Sequence, residues 1–242
     1  MALTHLRNCR NGNELSLVEI MREMGWEPKE ARRAIRCVLA AIRIWMLAIY
    51  GGESFIYEDL GKILDVVINE KRIRAVTLVT NGTVVPNDGV LKKLGNKKIK
   101  VSISAYDQAS DSRKRLIQAL SDNKVNYYVA DNLKWVKRGS VTKRGRRAEQ
   151  LADFFFRCKL YWSQCNTLFN GKIYHCDVYA NGVNLGLIAE QKGEVLDVRN
   201  TPKKQFSKAL RRFYARKYIA ACDYCGEIEP SEGNTVPPAE QM

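Results

Sequence analysis

Seven cysteines occupy positions 9, 37, 158, 165, 176, 222 and 225. Cys222-x-x-Cys225 sets two thiolates where one metal ion, or one edge of an iron–sulfur cluster, grips both. A thioredoxin-like redox pair also has this spacing, but such a pair belongs early in a βαβ unit, and this one lies near the last residue of the sequence. Cys158, Cys165 and Cys176 form a second group. Gly171 lets a hairpin turn sharply ahead of Cys176 and present that thiol inward. The two groups offer four or five soft donors, enough for a closed site. Thiolates suit zinc and iron–sulfur equally, so donor type does not choose between them. Cys37 sits in an apolar run and reads as a buried, unliganded thiol. Cys9, in "THLRNCRNGN", has no neighbour at metal-ligand spacing.

These residues need elements to position them. "RIWMLAIY", "IRAVTLVT", "KIKVSISAY" and "VNYYVADN" read as strands, and "YEDLGKILDVVINEK", "NDGVLKKLGN" and "SDSRKRLIQALSDN" as the intervening helices. That alternation predicts βαβ units and a parallel sheet over residues 1–150. "SLVEIMREMGWEPKEARRAIRCVLAAI" reads as a further helix, with Ser16 and Glu19 placed as a capping box. Residues 151–242 form a small cysteine-rich α+β part: a hairpin over "TLFNGKIYHCDVYANG", a helix over "SKALRRFYARKYI", and an irregular tail.

The chain carries 40 Lys and Arg against 26 Asp and Glu, a formal charge of +14. An anionic partner fits this charge, and so does a basic solvated surface, because the cations recur along the whole sequence. The densest run, "LKWVKRGSVTKRGRRAEQ", reads as a mobile basic loop and comes with no recognised nucleic-acid motif. The longest apolar run, residues 37–50, is interrupted by Arg43 and falls short of the ~20 residues a bilayer span needs. No N-terminal segment has a signal peptide's layout, and these features together predict a soluble, cytoplasmic protein.

"YGGESFIYEDLGKIL", then "VTLVTNGTVVP", then "VSISAY" resembles the body of a radical S-adenosylmethionine (radical SAM) enzyme. Gly51-Gly52-Glu53-Ser54 matches that family's Gly-Gly-Glu-Pro turn, with serine in place of proline. Thr80-Asn81-Gly82 matches its Thr-Asn-Gly strand end, and Ser102 and Ser104 its small polar cofactor-facing residues. The resemblance implies that Gly51, Gly52 and Glu53 receive the methionine ammonium of S-adenosylmethionine, beside Thr80, Asn81, Gly82, Ser102 and Ser104. Cys158, Gly171, Cys176 and the closing Cys222–Cys225 pair are similar to the auxiliary-cluster pattern of SPASM and twitch extensions. They imply one 4Fe-4S cluster on Cys158, Cys176, Cys222 and Cys225, with Cys165 a spare or alternative ligand. The tail is similar to radical SAM proteins of bacterial surface-polysaccharide gene clusters. That similarity implies a small-molecule or carbohydrate-type, anionic substrate such as a nucleotide-sugar, and an electron donor such as a flavodoxin or ferredoxin.

The pattern departs from the family at one place. A Cys-x3-Cys-x2-Cys loop laid over "THLRNCRNGN" falls on His5, Cys9 and Gly12, so Cys9 alone matches, as the middle ligand of the catalytic cluster. The sequence leaves no room for the strand that precedes this loop in the family. The motif is therefore expected to be degenerate or truncated, the fold a partial (β/α) barrel lacking its first strand, and hydrogen abstraction impaired or absent. The alternative from another class is a zinc-stabilised, basic nucleic-acid-binding module built on residues 134–147, which leaves the three strand-end motifs unexplained.

Overall fold

The structure is a computed structural model that describes residues 2–7, 44–51, 53–106, 110–130, 135–140, 142–158, 160, 166–226 and 233–237. The helix expected after Ser16 lies outside the described residues, as do Cys9, Cys37, Gly52 and Cys165.

The fold is mixed α/β. Strands β1 (Ala2–Arg7), β2 (Ile44–Gly51), β3 (Ile73–Thr80), β4 (Ile99–Ser104), β5 (Tyr127–Ala130), β7 (Thr167–Phe169), β8 (Lys172–Tyr174) and β9 (Leu196–Asp197) form one sheet in the order β5-β4-β3-β2-β1-β7-β8-β9. β2 to β5 run parallel, with Val76 opposite Ile99 and Leu78 opposite Val101. Helices α1 (Leu60–Asn69), α2 (Asp88–Leu94) and α3 (Ser110–Asp122) are the crossovers. Each sits where its apolar spacing predicts. α1, for example, buries Leu60, Ile63, Leu64 and Val67, one face at helical period.

The expected absence of a first strand is corrected. β1 precedes β2, but it runs antiparallel to it, from Ala2 opposite Gly51 to Arg7 opposite Met46. It gives the backbone groups on the free side of β2 a hydrogen-bonding partner, as a buried strand edge requires. Through β1 the sheet continues into the cysteine-bearing hairpin, since His5 pairs with Thr167. Residue 150 falls inside helix α4 (Ala148–Arg157), and the sheet spans both sides of it.

Two hydrophobic clusters form. The first lies under the parallel strands and reaches Leu168, Ile173, Phe206, Leu210 and Phe213. The second gathers Phe155, Phe169, Tyr174, Tyr179, Ile188, Ile219, Ala221, Cys222 and Tyr224. Helix α5 (Asp177–Asn184) belongs to the second, where a hairpin continuation over "DVYANG" was expected. Gly182 is not a turn residue there. A Cβ on it would stand 2.5 Å from Ile188 Cδ1, so glycine admits a close packing contact inside the helix.

The basic run is not a free loop. Within it β6 (Trp135–Val136) pairs with β10 (Thr235–Val236), and Gly139 bridges Cys225. Helix α6 (Lys203–Tyr214) lays Phe206, Leu210 and Phe213 inward and ends before the 3-10 turn Ala220–Asp223. No described helix is long and apolar enough to cross a membrane.

Candidate metal centre and strand-end site

At the C-terminal end of the parallel strands the chain forms a closed polar knot. Glu53 follows β2, is 5 % exposed, and caps the 3-10 turn Ser54–Ile56 by accepting from the Phe55 backbone N–H at 2.8 Å. Its other contacts come from the end of β3. The Thr80 hydroxyl lies 2.9 and 2.8 Å from the two carboxylate oxygens, and the Asn81 backbone N–H donates at 2.9 Å. The Gly82 N–H donates to Thr80 Oγ1 at 3.1 Å, and Gly82 takes φ +79°, a left-handed value that favours glycine. The Ser54 hydroxyl donates to the Val79 carbonyl at 2.9 Å, binding the two strand ends once more.

Burial raises the Glu53 pKa, and the hydrogen bonds from Phe55, Asn81 and Thr80 oppose that shift. A carboxylate offers about four acceptor sites, and three donors reach Glu53: the Phe55 and Asn81 backbone N–H groups and the one Thr80 hydroxyl proton, shared between both oxygens. The methionine ammonium that the resemblance brings to Glu53 therefore meets a carboxylate most of whose acceptor sites are taken within the chain.

The strand pleat separates the remaining residues. Thr80 pairs with Ile103, so both lie on the face of the first hydrophobic cluster. Ser102 pairs with Val79 and Tyr128, which puts Ser102 and Ser104 on the opposite face with Ala48 and Thr77. Both serines are buried, 5 % and 4 % exposed. That face is lined by small and hydroxylated side chains at the same sheet end as Glu53 and Thr80. The three motifs thus come together at adjacent strand ends, but Thr80 and the serines project from different faces.

The second site is a cavity with about 550 Å³ of empty space, its mouth included, lined by Cys158, Cys176, Cys222 and Cys225. The four thiols arrive from three segments. Cys158 ends α4, Cys176 precedes α5, and Cys222 and Cys225 lie on and just after the 3-10 turn. None of the four forms a disulfide. They perturb one another: Cys222 and Cys225 both sense Cys158, and Cys176 senses Cys222 and Cys225. Burial, reinforced by these neighbours, pushes Cys225 up to about 11 and Cys222 up to about 12, and holds Cys176 well above the ordinary thiol range. The walls are otherwise largely apolar, with Phe154, Phe155, Leu160 and Ile219 among them.

Two arginines from the basic run frame this cavity. Arg146 donates from Nη1 to the carbonyls of Cys222 and Cys225, at 2.6 and 2.9 Å, and its guanidinium stacks 4.2 Å over Phe154. Arg138 pairs with Asp177 at the start of α5. Both guanidiniums draw the Cys225 thiol back toward its ionised form, against burial. Backbone bonds complete the frame, from Ser140 N–H to the Tyr224 carbonyl and from Arg144 N–H to the Asp223 carbonyl, at 2.9 and 2.8 Å. Arg146 N–H donates to Asp223 Oδ1 at 2.8 Å. The composition of the run shows its charge, but nothing in it marks Arg138 and Arg146 as partners of the thiol loop.

Among the described residues, no three His, Cys, Asp or Glu side chains stand close enough together to hold one metal ion. The four thiols line one cavity. No protein-family model matches the chain, and no curated protein is significantly similar to it.

Proposed function

We propose that the chain is a radical SAM superfamily protein with a twitch-like extension. In this reading Cys158, Cys176, Cys222 and Cys225 hold an auxiliary 4Fe-4S cluster. S-adenosylmethionine lies across the C-terminal ends of β2, β3 and β4 of a partial barrel. One observation carries the reading: four thiols from three separate segments line a single cavity. A four-iron cube takes one thiolate at each of its iron corners, and four thiols on a largely apolar wall suit it.

When bound, such a cluster supplies one-electron chemistry whose potential depends on burial and on hydrogen bonds around the sulfurs. The chain's own residues do the rest. The arginine frame fixes the Cys222–Cys225 loop and adds positive charge beside thiolates that burial otherwise keeps protonated. At the strand ends, the Glu53–Thr80 knot fixes the turn that would receive the methionine, and the face of Ser102 and Ser104 admits the nucleoside. The resemblance implies hydrogen abstraction from an organic substrate such as a sugar or nucleotide-sugar by a deoxyadenosyl radical. With Cys9 as the single cysteine at the catalytic-loop spacing, reductive cleavage of S-adenosylmethionine by this chain is expected to be weak or absent.

Anaerobic reconstitution tests the reading. A brown protein with about four irons and four sulfides per chain, both lost in Cys225→Ala, is the expected outcome. A colourless protein that takes up zinc alone overturns it. Salt-sensitive binding of that zinc form to unrelated DNA or RNA then favours the basic nucleic-acid-binding module.

A further inference from the structure

We propose that the outer face of α6 is a docking surface for a nucleic-acid duplex, held through the phosphates. Residues 198–222 contain eight Lys and Arg and no Asp or Glu. α6 gathers much of this charge on one side. Lys204, Lys208, Arg211 and Arg212 fall at i, i+4, i+7 and i+8, a single stripe at helical period. All four are exposed, while Phe206, Leu210 and Phe213 turn the opposite side of the helix into the first hydrophobic cluster. The stripe covers about 12 Å of helix axis. Arg216 and Lys217, also exposed, continue the charge past the helix end. Arg216 is anchored there by donating to the carbonyls of Lys192 and Gly193, each at 3.2 Å.

These cations differ from those of the basic run. There Arg138 pairs with Asp177 and Arg146 binds the carbonyls of Cys222 and Cys225. Among the described residues, none of the four side chains on the α6 stripe makes an ion pair. Their combined field therefore faces solvent, where it attracts a polyanion.

The surroundings of the stripe select the polyanion. A helix that lies on a membrane buries its apolar side among the lipids, but in α6 that side is committed to the core. A specific protein partner calls for an apolar, often aromatic, centre to the interface, and both phenylalanines of α6 are buried. A single strand stacks its bases on exposed aromatic rings, which the stripe lacks for the same reason. A duplex needs only cations placed to meet its phosphates, which present about one charge per 1.7 Å of axis. Contacts of this kind carry no sequence information. The inference is independent of what the thiols hold.

The full chain is titrated into a short, fluorescently labelled DNA duplex at increasing salt. With four phosphate contacts, the affinity is expected to fall roughly 100-fold between about 50 and 200 mM salt. Lys204→Gln, Lys208→Gln, Arg211→Gln and Arg212→Gln together should weaken binding at low salt at least tenfold and reduce the slope of log K against log salt by about 3 to 4. Glutamine keeps the helix propensity of these sites. An equal loss of charge in the basic run, by Lys137→Gln, Lys143→Gln, Arg144→Gln and Arg147→Gln, should weaken binding far less. In the unaltered chain, bound duplex should shield Lys204 and Lys208 from acetylation, read by mass spectrometry, which decides the question even if the α6 variant does not fold. Equal losses in the two variants mean a diffuse effect of net charge and overturn the proposal. Loss confined to the second variant returns the binding to residues 134–147 and overturns it too. So does the absence of binding at low salt, or tighter binding of the single strand, of polyglutamate or of phosphatidylserine vesicles than of the duplex.

Discussion

At the scale of single residues, the strand-end knot shows why one hydroxyl matters more than its size suggests. Thr80 donates to Glu53 and accepts from Gly82, so Thr80→Val removes a donor to a buried carboxylate and leaves a buried N–H without its partner. A loss of about 1–3 kcal/mol is expected, measured by urea unfolding. The pH dependence follows from the raised Glu53 pKa. The folded state holds this proton more tightly than the unfolded chain. The stabilisation is therefore complete below the unfolded value of 4.5 and is lost as pH rises through the folded one. Removing the Thr80 hydroxyl removes a contact that lowers this pKa, so Thr80→Val should steepen the loss above pH 4.5. An unchanged pH profile would show that Thr80 does not act on the carboxylate. Arg146 makes a similar case in the second site. Arg146→Gln removes two charge-assisted bonds to the carbonyls of Cys222 and Cys225 and should cost about 2 kcal/mol, with Arg146→Lys in between. A purely local packing role predicts equal losses for the two variants.

At the scale of elements, the hairpin before Cys176 joins sequence to site most directly. Asn170 and Gly171 take φ of +48° and +70°, the pair of left-handed values a two-residue primed turn requires, and Asn-Gly is its preferred sequence. Gly171→Ala should destabilise the protein by about 1–2 kcal/mol and lower the iron bound per chain, because β8 leads directly into Cys176. Iron content at the wild-type level in a destabilised Gly171→Ala would separate turn from site. This turn was legible in the sequence, as were β2 to β5 and α1 to α3, because local period and breakers agree with the final packing. Other features were not. α5 hides behind Gly182, whose reason is close packing against Ile188, just past the end of the helix and outside the motif itself. β1 is a strand because β2 needs an edge partner, and its own residues carry no clear alternation. The basic run looked solvated because its partners, Asp177, Asp223 and the cysteine carbonyls, come from other segments.

At the scale of the whole molecule, the two hydrophobic clusters have different claims to stability. The first is built on the parallel strands and their crossover helices, with Leu47, Leu78, Val101 and Ile103 completely buried. The second surrounds the thiol cavity, and its members Cys222 and Tyr224 lie in the loop the arginines frame. If the proposed cluster is held by the four thiols, it cross-links α4, the α5 start and the 3-10 turn in the folded chain only, and its binding free energy becomes stability of this region. On that proposal, stripping the iron from reconstituted protein with a chelator should loosen the second cluster and leave the first intact. Hydrogen exchange distinguishes the two, since protection is lost locally where the cross-link is gone and kept where the core holds by itself. In iron-free protein, amides of α5, β7, β8 and residues 219–225 should exchange faster by at least an order of magnitude, while those of β3 and β4 keep their protection. Uniform loss of protection across both clusters would mean that the sheet, continuous through β1, couples them into one cooperative unit.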